Sequence, residues 1–130
     1  MRPLFMALLA VQLGCSRRPD DVSLDAVTVP SEISQLSDWV AERERAFDDI
    51  IPGAERHIIL RQEARTPLSI VYIHGFSASR PEISPVCERV SEALNANLYF
   101  TRLQGHGRSS LDAMADATVE GWLTDMAEAF

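Results

Sequence analysis

Two short apolar runs, each cut off by a glycine-bearing polar loop, constrain this chain more than anything else in it. Leu68 to Ile73 runs into His74-Gly75-Phe76-Ser77, and Asn97 to Arg102 runs into Leu103-Gln104-Gly105-His106-Gly107-Arg108-Ser109. The first run is β-branched and nearly unbroken, the pattern of a strand buried on both faces. Between the loops lies a helical stripe of Ile83, Val86, Cys87, Val90, Ala93 and Leu94, with Ser84-Pro85 placed to cap and open it and Asn95-Ala96-Asn97 to end it. After the second loop, Val119, Trp122, Leu123, Met126, Ala127 and Phe130 repeat at the i, i+3, i+4, i+7 spacing of another helix face. Strand, helix, strand, helix is the grammar of an α/β protein with right-handed crossovers and a mostly parallel sheet flanked by helices.

The upstream half adds a helix and a short strand. Ile33, Leu36, Val40, Phe47 and Ile50 fall near one helical face, with Ser31 as a cap and Pro52-Gly53 as the stop. His57 to Leu60 reads as a short strand that Arg65-Thr66-Pro67 breaks off. Residues 31–130 are therefore expected to form one partial domain, with 16–30, polar and ending in Pro30, as a tether.

Residues 1–15 read differently. Arg2 precedes an apolar stretch of about ten residues, Leu4 to Leu13, where a bilayer span needs about twenty. That fits the core of a secretory signal. Gly14-Cys15 closes the segment and resembles the bacterial lipoprotein signal, in which the cysteine is lipidated and becomes the new N-terminus. Gln12 and Leu13 depart from that pattern, which prefers an aliphatic and a small residue there. The expectation is a cell-envelope protein, held to the membrane through Cys15 or secreted. An ordinary cleaved signal and a cytoplasmic chain with an apolar start are the alternatives.

Charge and cysteine content exclude other classes. A net charge of −7 argues against a nucleic-acid partner, which needs a basic face. The two cysteines are Cys15 and Cys87, so no disulfide framework arises. Cys87, among apolar residues of a helical pattern, reads as a small buried hydrophobe rather than a catalytic thiol. His57, His74 and His106 are dispersed and lack metal-ligand spacing, so no metal or cofactor is expected. Nothing in the sequence sets an oligomeric state.

Over residues 68–130 the paired loops resemble those of the α/β-hydrolase family, the serine esterases, lipases and related peptidases. There the third strand ends in His-Gly and a turn, as Ile73-His74-Gly75-Phe76 does. The next strand ends in Gly-His-Gly-x-Ser, as Gly105-His106-Gly107-Arg108-Ser109 does. Trp122-Leu123-Thr124-Asp125 matches a Trp-x-x-Asp common on the following helix. The resemblance implies that Phe76 donates its backbone N–H to an oxyanion, with Gly75 allowing close approach. It implies that His74 and His106 brace the loops rather than act as bases, and that Phe76, Ser77 and Ala78 line the mouth of an acyl pocket beside Gly105 and Gly107. The substrate would be a small acyl compound.

The nucleophile elbow Gly-x-Ser-x-Gly does not occur, nor does a later Asp and His to complete a triad. The expectation is the N-terminal part of a serine acyl hydrolase, truncated before the elbow. By the resemblance, a further strand would pair beside Ser69–Ile73, whose open edge would make the isolated chain unstable. A non-catalytic envelope lipoprotein or binding module derived from the fold is the alternative. Gly105-His106-Gly107-Arg108-Ser109-Ser110 also approaches a dinucleotide fingerprint, but Ser109 to Ala117 lacks a helical stripe.

Overall fold

The computed structural model describes residues 27–130. The expected signal segment, Cys15 and most of the tether lie outside the described residues. The elements run α1 (Ile33–Arg45), β1 (His57–Ile59), β2 (Ser69–Tyr72), a 3-10 turn (Arg80–Glu82), α2 (Val86–Leu94), β3 (Asn97–Phe100) and α3 (Val119–Ala129).

The sheet corrects the expected fold class. It has three strands in the order β1-β3-β2, with β2 parallel to β3 but β1 antiparallel to it. A separate antiparallel bridge joins Ile50 to Arg108. The mostly parallel, helix-flanked sheet is therefore not formed. The departure comes from β1, which runs against β3, and β2 is less buried than its apolar run suggests. Ser69 is exposed and the remaining β2 residues are only half-buried, because β2 is an edge strand. Only β3 is buried at every position, and it is the central strand. An unbroken apolar run reports burial, and burial in a central strand does not set the direction of its neighbours.

Successive β3 residues point to opposite faces. Tyr99 lies on the side of α1, near the charges of Glu44, Arg43 and Arg56. Phe100 points the other way, edge-on to Tyr72, with the Arg80 guanidinium 5.7 Å from its ring centroid. α1 packs on β1, and α2 on β3 and β2.

The helices also differ from their sequence patterns. α1 stops at Arg45, so Phe47 and Ile50 lie beyond it, and Glu32 rather than Ser31 takes the N-cap position without a side-chain bond. α2 begins at Val86, after Ser84-Pro85, and the Ser84 hydroxyl donates to Glu88 instead of capping. Its buried residue is Ser91, whereas Val86, Val90 and Leu94 are exposed. α3 turns Asp125 and Glu128 inward and leaves Val119 and Phe130 exposed.

Those inward carboxylates explain the reversal on α3. Arg56 places one guanidinium nitrogen 2.6 Å from Glu44 and another 2.5 Å from Asp125, with Nε 3.6 Å from Glu128. Arg102, only 1% exposed, donates from Nε to Glu44 at 2.8 Å, and Arg43 pairs with Glu128. A buried charge is tolerated only when paired. Here three arginines meet three carboxylates drawn from α1, the approach to β1, the exit of β3, and α3. Asp125 and Glu128 bring the inward face of α3 to this cluster, though neither Glu128 oxygen has a hydrogen-bond partner among the described residues.

Candidate functional site

The first loop leaves β2 through Ile73 and His74 and folds into a tight turn, in which Ala78 N–H donates to the Gly75 carbonyl at 3.1 Å. Phe76 and Ser77 occupy the central positions, and Ser77 has φ of 62°. A positive φ at the third residue and not the second is the pattern of a type II turn. The bond of such a turn joins its first and fourth residues and leaves the N–H of its second residue out of the pair. No backbone acceptor among the described residues takes the Phe76 N–H.

His74 pins this turn from beneath. It is 3% exposed. Its Nε2 accepts the Leu103 N–H at 3.0 Å. An amide can only donate, so the ring proton sits on Nδ1, which donates to the Gly75 carbonyl at 2.9 Å. Burial, opposed by the Gly75 bond, pushes the His74 pKa down and keeps the ring neutral. Both nitrogens are committed to backbone, which leaves none for proton transfer to a substrate.

The second loop is tighter still. A Cβ on Gly107, whose φ is 65°, would come within 2.9 Å of Ala54 Cβ, and one on Gly105, at φ 79°, within 2.8 Å of the Ala113 carbonyl. These two positions require glycine. Gly75 does not: its φ is not left-handed and a Cβ there would meet nothing within 4 Å. The space over Gly75 is open.

Gln104 joins the second loop to α3, and sequence reasoning missed it. Its N–H donates to Asp125 at 2.5 Å. Its carbonyl accepts the Trp122 indole N–H at 2.9 Å and the His106 Nδ1–H at 3.1 Å. Its side-chain oxygen accepts the Thr118 N–H at 3.0 Å, while the Thr118 hydroxyl caps α3 by accepting the Gly121 N–H at 2.9 Å. The Trp-x-x-Asp spacing thus has a local purpose. At i and i+3 on one helix face, the indole and the carboxylate hold the two ends of one residue's backbone. The available signal was a polar side chain at the loop before that motif.

Four rings close the arrangement. His74 and His106 stand 4.8 Å apart, and Phe76 and Trp122 meet His106 edge-on at 5.9 and 5.8 Å. Phe76 is 74% exposed, with its ring edge-on to Trp122 at 6.4 Å. His106 Nε2 is buried and has no hydrogen-bond partner among the described residues. The turn, both histidines, Gly105 and Gly107 thus form one structure. Ser77 is exposed at the turn, and no described contact activates its hydroxyl as a nucleophile. Cys87 lies apart on α2, and burial, followed by the charge of Glu88, pushes its thiol pKa up, away from the reactive thiolate. His57 sits in β1, stacked on Phe100.

Among the described residues no group of His, Cys, Asp and Glu could hold a metal ion, and no helix is long and apolar enough to cross a membrane. No protein-family model matches the chain, and no curated protein matches it.

Proposed function

We propose that this chain supplies the oxyanion-donor side of a serine acyl hydrolase acting on a carboxylic ester or related acyl bond. The nucleophile, acid and base would come from residues that are not among these 130. The observation that carries the reading is the Phe76 N–H, which no described backbone acceptor takes, on a turn pinned by a buried histidine. A carbonyl oxygen gains negative charge as it becomes tetrahedral. A donor already in place stabilises that charge without reorganisation, and one such donor contributes about 3 kcal/mol. The open space over Gly75 leaves room for the oxygen, and the Phe76 and Trp122 rings offer an apolar rim for the acyl group. The likeness of the paired loops to those of α/β-hydrolases supports the same reading. It is a likeness of loops, since the strand arrangement is mixed. Attachment to the envelope through Cys15 belongs to the proposal, and labelled palmitate that persists on Cys15→Ser would remove that part.

The alternative, a non-catalytic binding module of the envelope, is favoured by the exposed Phe76 ring. Two substitutions separate these readings. Phe76→Pro deletes the N–H, and proline suits the second position of this turn. Phe76→Ala keeps the N–H and deletes the ring. In the product of the full coding sequence, ester hydrolysis falls about 100-fold in Phe76→Pro and far less in Phe76→Ala. Equal losses, or a product that a fluorophosphonate never labels, would leave the binding module standing.

A further inference from the structure

We propose that His74 is an acid-sensitive strut: protonating its ring releases the Gly75–Ala78 turn from the Leu103–Gly107 loop and so withdraws the Phe76 N–H. The inference rests on the reading of Phe76 as an oxyanion donor and names a regulation of that site.

The geometry admits one protonation state. Nε2 accepts the Leu103 N–H at 3.0 Å, and Nδ1 already carries the proton given to the Gly75 carbonyl at 2.9 Å. A second proton must go to Nε2, where it would face an N–H. Donor against donor cannot stand at a residue that is 3% exposed. The Leu103 bond is the direct tie between the two loops, so the ring must leave it.

The surroundings oppose the charged ring more than they favour it. From the second loop, His106 lies 4.8 Å away, ring to ring, and brings no negative charge. From the exit of β3, the Arg102 guanidinium repels an imidazolium, although Glu44 offsets part of its charge. From α3, Asp125 attracts it, but that carboxylate is already shared by Arg56 and the Gln104 N–H. From its own loop, the Gly75 carbonyl favours the proton already on Nδ1. Among the described residues no anion bonds Nε2 to compensate.

The test is a histidine nitrogen and amide-exchange titration of the intact chain by NMR, from about pH 7.5 to about pH 5. Near neutrality His74 shows the Nδ1–H tautomer. As its ring takes a proton, protection of the Leu103 amide, corrected for intrinsic exchange, falls about tenfold, in keeping with the loss of one hydrogen bond. The Tyr99 amide, inside the sheet, keeps its protection over the same range. In His74→Gln, whose side-chain oxygen can accept from Leu103 without titrating, the loss of Leu103 protection disappears.

An Nε2–H tautomer at neutral pH overturns the proposal. So does protonation of His74 with Leu103 protection unchanged, or the same acid loss in His74→Gln. If that variant does not fold, the titration of the native chain decides alone. Because the readout is independent of catalysis, failure of the Phe76 substitutions to slow hydrolysis would sink the hydrolase reading and leave the strut intact. The reverse pattern would sink the strut alone.

Discussion

Glu44→Gln should be among the most damaging single-atom-scale changes this chain can receive. The Glu44 carboxylate accepts four bonds: Arg56 N–H at 3.2 Å, an Arg56 guanidinium N–H at 2.6 Å, Arg102 Nε–H at 2.8 Å and an Arg102 terminal N–H at 3.1 Å. Its two oxygens take two donors each. An amide has one oxygen, so two of the four donors would face an NH2 group. Each buried unsatisfied donor costs about 1–3 kcal/mol, and breaking a buried ion pair by removing one partner costs about 3–5 kcal/mol. These are two views of the same loss, which we take as about 3–5 kcal/mol. A domain of this size has a total stability of about 5–15 kcal/mol.

With a urea m-value near 1.5 kcal/mol/M, the unfolding midpoint followed by circular dichroism falls by about 2–3 M. Burial alone would push the Glu44 pKa up, but the bonds and charges of Arg102 and Arg56 outweigh it and hold the pKa below the usual carboxylate range. A depressed folded-state pKa stabilises the fold above the unfolded value and ceases to do so as pH falls through the folded one. The native chain should therefore lose stability on acidification below about pH 4.5, and Glu44→Gln should lose less over that range. A variant within 1 kcal/mol of the native chain, or one with an unchanged acid slope, would refute the reasoning.

The glycines offer a sharp contrast: Gly107→Ala should lower the unfolding free energy by about 2 kcal/mol or more, from left-handed strain plus the 2.9 Å approach to Ala54. Gly75→Ala should stay within about 0.5 kcal/mol, and a larger loss in the same urea assay would mean that the turn needs glycine. Trp122→Phe keeps a ring against His106 but removes the indole N–H bond to Gln104, so we expect a loss of about 1 kcal/mol, read from the same midpoint. Burial lowers the pKa of both His57 and His74, so each stabilises the fold above the unfolded value of about 6.5. Stability should therefore begin to fall as pH drops below about 6.5, well before the carboxylates titrate, and a flat profile between about pH 7 and pH 5 would contradict this.

What the sequence alone determined was local. β-branched and aromatic residues placed three strands where Ser69–Tyr72, Asn97–Phe100 and His57–Ile59 form them, because strand preference is set by each residue's own side chain and its near neighbours. The left-handed glycines at 105 and 107 were legible as a tight turn for the same reason. The sequence also put His74 and Phe76 on a loop leaving β2. It could not show that His74 reaches Leu103, because nothing local ties that ring to the second loop.

Only the tertiary structure decided strand direction and helix facing. β1 joins β3 from the far side and runs against it, a pairing between segments that no local period encodes. The apolar stripe of α2 pointed to the wrong face, since Val86, Val90 and Leu94 stay exposed while Ser91 turns inward; on α3 only part of the stripe is covered, with Trp122, Leu123 and Met126 half-buried, Val119 exposed, and Asp125 and Glu128 facing in. Arg56 and Asp125 are 69 residues apart, yet their pairing fixes how α3 docks. A buried charge must find its counter-charge wherever the chain brings it, which no local period encodes. Gln104 follows the same logic: its hold on Trp122, Asp125, His106 and Thr118 exists only once the loop and the helix have met.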